Sequence, residues 1–337
     1  MSDVSATMEV VEYGGWTGCI RLSNGEIELV ATTVVGPRII RLGFVGGQNL
    51  FYNYPSTLGR IGDRDWNNYG GHRLWHAPEV FPRTYAPDNV PIEHGWDGTS
   101  LTLRNSEQST GLEKETRVTL SATDARVEIA HRITNRNPWA IELAAWSLSV
   151  MAPGGRAIYP QEDYKPHPDC LVPARPLVLW HFTDMTDPRW TWGRKYIQLR
   201  QDPGATTKQK VGFLNSKGWA AYVLGGDALV KRYPYDAAAE YTDMGCNTET
   251  YTDPEMLEIE TLGPLTRLEP GAHVDHQESW LLARVDCGPS DADIDASILP
   301  LVADLWSTPL PSGYEPGHVT CPGSSIRGAV RLSGPGR

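Results

Sequence analysis

Apolar and polar residues alternate in short runs along most of the chain, and turn residues separate the runs. Glu9-Val10-Val11-Glu12-Tyr13 gives way to Gly14-Gly15. The run 17–22 ends at Ser23-Asn24-Gly25, a strong hairpin signal, and Glu26-Ile27-Glu28-Leu29-Val30 reads as its partner. With 38–42 these runs predict an opening β-meander. Period-two alternation returns at 100–103, 115–120, 126–133, 141–150, 211–214, 218–224, 228–232, 256–261 and 276–282, whereas only 291–306 has helical spacing. Many short alternating strands with few helices predict an all-β antiparallel sandwich. We expect one domain over 1–337, with its core at about 8–285 and a C-terminal extension at about 286–337 that ends in a loose tail from Ser324. Two stretches, 55–95 and about 160–195, lack periodicity. Trp66, Tyr69, Trp75 and Tyr85 make the first a poor candidate for disorder, so a functional loop is expected there.

Composition narrows the function classes. The formal net charge of -11 opposes binding to phosphate backbones, which need a basic face, so no nucleic-acid partner is expected. No apolar run is long enough for a membrane helix, and the first residues have neither a basic nor an apolar leader region. These features predict a cytoplasmic protein without a membrane partner. Cys19, Cys170, Cys246, Cys287 and Cys321 are odd in number, scattered and never in a CxxC pair, which predicts buried free thiols. Twelve Trp and fourteen Tyr against five Phe is a skew toward rings with a polar handle, which suit the faces of sugars as well as β-cores.

Two stretches carry candidate chemistry. In Met256-Leu257-Glu258-Ile259-Glu260-Thr261, Leu257 and Ile259 point one way while Glu258 and Glu260 point the other, the two carboxylates about 7 Å apart. Such a pair suits acid/base work, or glycoside hydrolysis by water attack. Glu249 lies just upstream. On the strand 276–282, His276 alternates with Glu278 and Trp280 and is expected to line the same concavity as Glu258 and Glu260. The second stretch, Gly70-Gly71-His72-Arg73-Leu74-Trp75-His76-Ala77-Pro78-Glu79, gathers two imidazoles, a guanidinium and an indole. Its glycines and proline indicate a loop or short strand rather than a helix. His72, His76 and Glu79 lack any established zinc spacing, so we expect no metal and no cofactor. Sugar recognition fits better: Arg73, His76 and His276 offer hydrogen bonds to hydroxyls, and Trp75 offers an apolar face. The oligomeric state is left open.

The chain resembles the galactose mutarotase-like superfamily, the fold of aldose 1-epimerases and of sugar-binding β-supersandwich domains, as a divergent branch. The resemblance rests on the N-terminal meander with Gly36-Pro37-Arg38-Ile39-Ile40-Arg41-Leu42, the Thr134-Asn135 turn, the Glu249-Thr250 and Pro254 stretch, and Leu268-Glu269-Pro270-Gly271. It implies a large antiparallel β-supersandwich, a small-molecule carbohydrate in its concave face, and Glu249 as catalytic base. Where the resemblance places a histidine acid, this sequence has Ala145-Trp146-Ser147, so His72 or His167 is the candidate acid. Two other readings stand beside the epimerase-like one: a non-catalytic carbohydrate-binding protein, and a glycoside hydrolase or lyase using paired carboxylates.

Overall fold

The structure, a computed structural model, describes residues 6–307; the tail from Ser324 and Cys321 lie outside them. In chain order the strands are β1 (Thr7–Tyr13), β2 (Trp16–Ser23), β3 (Ile27–Thr32), β4 (Arg38–Phe44), β5 (Gly71–Ala77), β6 (Glu93–Trp96), β7 (Ser100–Glu107), β8 (Leu112–Leu120), β9 (Arg126–Asn135) and β10 (Ile141–Met151). Then follow β11 (Arg156–Pro160), β12 (Leu177–Leu179), β13 (Trp190–Trp192), β14 (Tyr196–Arg200), β15 (Gln209–Phe213), β16 (Trp219–Leu224), β17 (Asp227–Arg232), β18 (Thr248–Thr252), β19 (Leu257–Leu262), β20 (Thr266–Leu268) and β21 (His273–Arg284). They form two antiparallel sheets. One runs β1-β2-β3-β4-β5-β10-β19-β18-β15-β12, with β20 also paired to β10; the other runs β13-β14-β11-β16-β17-β21-β9-β8-β7-β6.

Alternation explains the sandwich. Leu29, Leu42, Ile259 and Val211 from the first sheet, with Phe51 bridged to Met151 of β10, meet Leu103, Val127, Leu229 and Trp280 from the second in one hydrophobic core. The irregular stretch 55–95 contains β5, every residue of which is buried. The strand can enter because Gly70 and Gly71 adopt φ of 83° and 72°, and a Cβ at either would run into the backbone at Tyr52 or Ile39. The other irregular stretch supplies the edge strands β12 and β13.

The expected helix at 291–306 is two, Asp291–Ser297 and Leu299–Ser307. Pro300 has no N–H to give to the preceding turn, so the run breaks before it. Ser290 caps the first helix in a reciprocal box with Asp293. Ile294, Ile298, Val302 and Leu305 press on Ala221, Val230 and Leu281, covering the outer face of the second sheet. No helix among the described residues is long and apolar enough to cross a membrane. Cys19, Cys246 and Cys287 are free thiols, but Cys170 is disulfide-bonded, which corrects the expectation of free cysteines throughout.

Candidate functional site

The outer face of the first sheet carries a cleft built by strand register. Arg73 on β5 stands opposite Leu148 on β10, Leu148 opposite Glu260 on β19, Glu260 opposite Glu249 on β18, and Glu249 opposite Gly212 on β15. The neighbouring row is Glu258, Tyr251 and Lys210. Side chains two apart on a strand share a face, so Trp75, Trp146 and Glu258 join this surface. A cavity of about 400 Å³ opens over it, bordered by Tyr54, Trp66, Trp75, Trp180, Tyr251 and Phe182, with Arg73, Lys210 and Glu258 among its polar groups.

Two ion-paired groups divide the cleft. Arg73 reaches Glu258 Oε1 at 3.2 Å, and its guanidinium stacks over Trp75 at 4.4 Å and Trp66 at 5.5 Å. Lys210 Nζ lies 2.8 Å from Glu249 Oε2 and 3.1 Å from Glu260 Oε2, between the rings of Trp146 and Trp180 at 4.9 and 4.7 Å. Trp146 Nε1 donates to Glu260 Oε2 at 3.0 Å. Three carboxylates thus share two cations. Burial pushes the Glu258 carboxyl up to about 7 against the pull of Arg73, and Glu260 adds to the rise. Burial also holds Glu249 well above the usual carboxylate range, because Glu260 and Asp243 together with desolvation outweigh Lys210. Burial opposes the Lys210 ammonium, but Glu260 and Glu249 raise its pKa overall and keep it charged.

The sequence-derived candidates separate by face. Glu249, Glu258, Glu260, Arg73 and Trp75 come together in the cleft, although Glu249 is only 1% exposed and lies beneath Lys210. His72, His76 and His276 do not join them. His72 and His76 alternate with Arg73 and Trp75 on β5, so they point inward, and His276 on β21 belongs to the second sheet. The expectation that His276, Glu278 and Trp280 line the acidic concavity is therefore corrected: these side chains fill the space between the sheets. His167 is exposed in the segment 161–176. Trp146 occupies the cleft, where its indole ties down Glu260. Lys210, Tyr251 and Trp180 were missed. Lys210 had a signal, the alternation Lys210-Val211-Gly212-Phe213, in which a lysine and a glycine share the face opposite two core residues.

Between the sheets His72, His131 and Glu278 bring one ligand atom each within 4.8 Å. Their hydrogen bonds are already accounted for. Lys231 Nζ pairs with Glu278 Oε1 at 2.9 Å and donates to Ser149 Oγ at 3.0 Å. Ser149 Oγ meets His72 Nδ1 at 2.9 Å, the Nε2 atoms of His72 and His131 meet at 2.9 Å, and His131 Nδ1 meets Thr116 Oγ1 at 3.1 Å. Ser147, Thr261 and Trp280 all donate to Glu278. A hydroxyl donating at one end and accepting at the other satisfies both nitrogens of His72 and of His131, so the donor set fits a polar core better than a metal centre.

The buried imidazoles set an acid limit on stability. Burial, with Lys231 nearby, lowers His276 to about 4 and His131 to about 3, and holds His72 well below its ordinary value. Groups lowered on folding contribute stability above the unfolded pKa near 6.5 and lose it as pH falls through that range. Each contributes a slope of up to about 1.4 kcal/mol per pH unit. Burial also lowers His76 to about 2, and these four histidines outnumber the three raised carboxyls Glu258, Glu249 and Glu128, which act in the opposite direction. Urea unfolding is expected to show lower stability at pH 5 than at pH 7; equal or greater stability at pH 5 would contradict the assignment of neutral buried imidazoles.

No protein-family profile matches the sequence, and no curated protein matches it. Solved structures do match. A galactose mutarotase-like protein from Lactobacillus casei superposes with a TM-score of 0.52 at 12% identity, covering 79% of this chain and 100% of its own. A Klebsiella pneumoniae protein provisionally assigned as an aldose 1-epimerase gives 0.55 at 13% identity, over 89% of this chain and 87% of its own. The fold is the galactose mutarotase-like sandwich. A TPR-domain containing protein from Parabacteroides distasonis also superposes, matching 95% of this chain with 57% of its own at a TM-score of 0.54 and 14% identity. At such identities the likeness shows the fold alone.

Proposed function

We propose that the cleft binds a carbohydrate and moves protons on it in the manner of an aldose 1-epimerase. One observation carries this reading: a carboxyl with a pKa near neutrality, Glu258, borders a 400 Å³ cavity walled by indoles and phenols. Glu258, held by Arg73, takes the proton from the anomeric hydroxyl. Lys210 faces the ring oxygen and gives it a proton as the ring bond breaks, ring closure on the other face returns both protons, and Glu249 behind the lysine holds it in place. Trp75 and Trp146 give the sugar ring its apolar walls. The hydrolase reading loses support because Glu260, the partner it requires, is engaged by both Lys210 and Trp146.

Polarimetry on freshly dissolved hexoses and pentoses tests the reading. Mutarotation above the buffer rate for at least one sugar is expected, and rates equal to buffer across the panel would remove the epimerase activity. Trp146 at the position of the expected acid favours a second reading, a carbohydrate-binding protein without turnover. That reading requires calorimetric binding of a sugar that stays chemically unchanged for hours in the same sample.

A further inference from the structure

A second and larger cavity, of about 660 Å³, lies on the same face of the first sheet. Leu214 continues the Lys210 and Gly212 series past the end of β15, Glu142 continues the Leu148 and Trp146 series on β10, and Gly245 closes the turn that leads into β18. All three border this cavity. It therefore follows the cleft along the strand direction, with the Glu249 and Glu260 row between the two. One strap joins them: Glu79 and Tyr85 line the cleft, while Pro78 and Arg83 line the second cavity. At the tip of that strap Phe81 is 79% exposed.

Buried polar atoms without a partner occur along this line, as they do elsewhere at Arg38, His76, Tyr159 and Gln198. Arg73 Nε and Trp66 Nε1 at the cleft, Glu249 Oε1 and Glu260 Oε1 in the middle row, and Thr242 Oγ1 and Arg83 Nε at the second cavity are all buried without a hydrogen-bond partner in the protein. Thr242 is itself only 6% exposed. Buried polar groups are normally paired, and Thr242 Oγ1 and Arg83 Nε, in residues that line the second cavity, lack that partner. Stacked Tyr235 and Tyr241 rings, 6.0 Å apart, form an apolar wall. The loop beyond is held by the left-handed residues Asp243 and Met244, with φ of 52° and 61°. Glu142, Glu240 and Asp243 outnumber Arg83 among the charged side chains, which disfavours phosphorylated, sulfated or uronic units.

We propose that the ligand is a neutral di- or oligosaccharide, with one sugar ring in the Trp75 and Glu258 cleft and the next unit in the cavity beyond the Glu249 and Glu260 row. The proposal rests on the carbohydrate reading of the cleft and adds the length and charge of the substrate. Both volumes fall within the roughly 300–1,000 Å³ of small-molecule sites, so each takes a ring unit.

Calorimetry with glucose, galactose and mannose and with their α- and β-linked di- and trisaccharides tests it on the intact protein. For at least one sugar the disaccharide is expected to bind ten-fold or more tightly than its monosaccharide. A239W, at a half-buried position that borders only the second cavity, is expected to abolish that advantage and leave monosaccharide affinity unchanged. T242V, which removes the orphan hydroxyl without filling the space, is expected to reduce the advantage in part. Equal affinity for mono- and disaccharides in the unmodified protein overturns the proposal and leaves the carbohydrate reading standing, as does an advantage that survives A239W. Absence of binding by every member removes both.

Discussion

Glu258→Gln is expected to lower turnover by about 10² to 10⁴ while sugar affinity stays within a few-fold of the unmodified protein. The amide keeps the shape of the carboxyl and accepts a hydrogen bond from Arg73, but it cannot accept a proton at the anomeric hydroxyl. Glu258 borders the cavity, and its pKa of about 7 splits its population between acid and base at neutral pH. A base must be ionised to act, so the rate in the free protein should rise with pH through about 7, and Glu258→Gln should remove that limb. Glu249→Gln separates the two carboxylates. Glu249 lies under Lys210, so its substitution is expected to cost less than that of Glu258. A severe Glu249 variant beside a nearly silent Glu258 variant would instead make Glu249 the proton-transfer group and imply that the Trp146, Lys210 and Trp180 roof opens during turnover.

Lys231→Met is expected to destabilise the fold by about 3–5 kcal/mol, the usual cost of leaving one member of a buried ion pair unpaired. Lys231 and Glu278 are each 0% exposed and 2.9 Å apart. Burial alone would raise the Glu278 carboxyl, yet Lys231 holds it well below the usual carboxylate range. Without the ammonium, three neutral donors from Ser147, Thr261 and Trp280 remain for a full charge. The double change Lys231→Met with Glu278→Gln removes both charges and is expected to recover a large part of the loss. Urea midpoints of the two variants measure this. A single variant within about 1 kcal/mol of the unmodified protein would show that the pair is not the anchor of the inter-sheet polar core.

The same alternation that foretold the strands misplaced part of the site. Period two gives each residue a face but not the identity of that face, and a sandwich sheet has one side turned to its partner and one turned outward. Glu258 and Glu260 share a face, as do His276, Glu278 and Trp280, and both statements hold. What the pattern could not supply was that β19 belongs to one sheet and β21 to the other, with their acidic faces pointing into different spaces. His72 and Arg73 show it most directly: adjacent in sequence, they end on opposite sides of β5, one in the polar core and one in the cleft.

By itself, the sequence determined the all-β antiparallel sandwich, the opening meander and the hairpin at Asn24-Gly25, and it offered Glu249, Glu258, Glu260, Arg73 and Trp75 as candidates alongside His72, His76, His167 and His276. These follow from local period, turn residues and side-chain type, which act over a few positions. Only the tertiary structure decided that Lys210 lies between Glu249 and Glu260, that Lys231 neutralises Glu278 and that two cavities stand in line on one face. Such pairings join strands tens to more than a hundred residues apart, and their register is set by the packing of whole sheets. A buried charge is stable only beside its partner, and that partner comes from another strand.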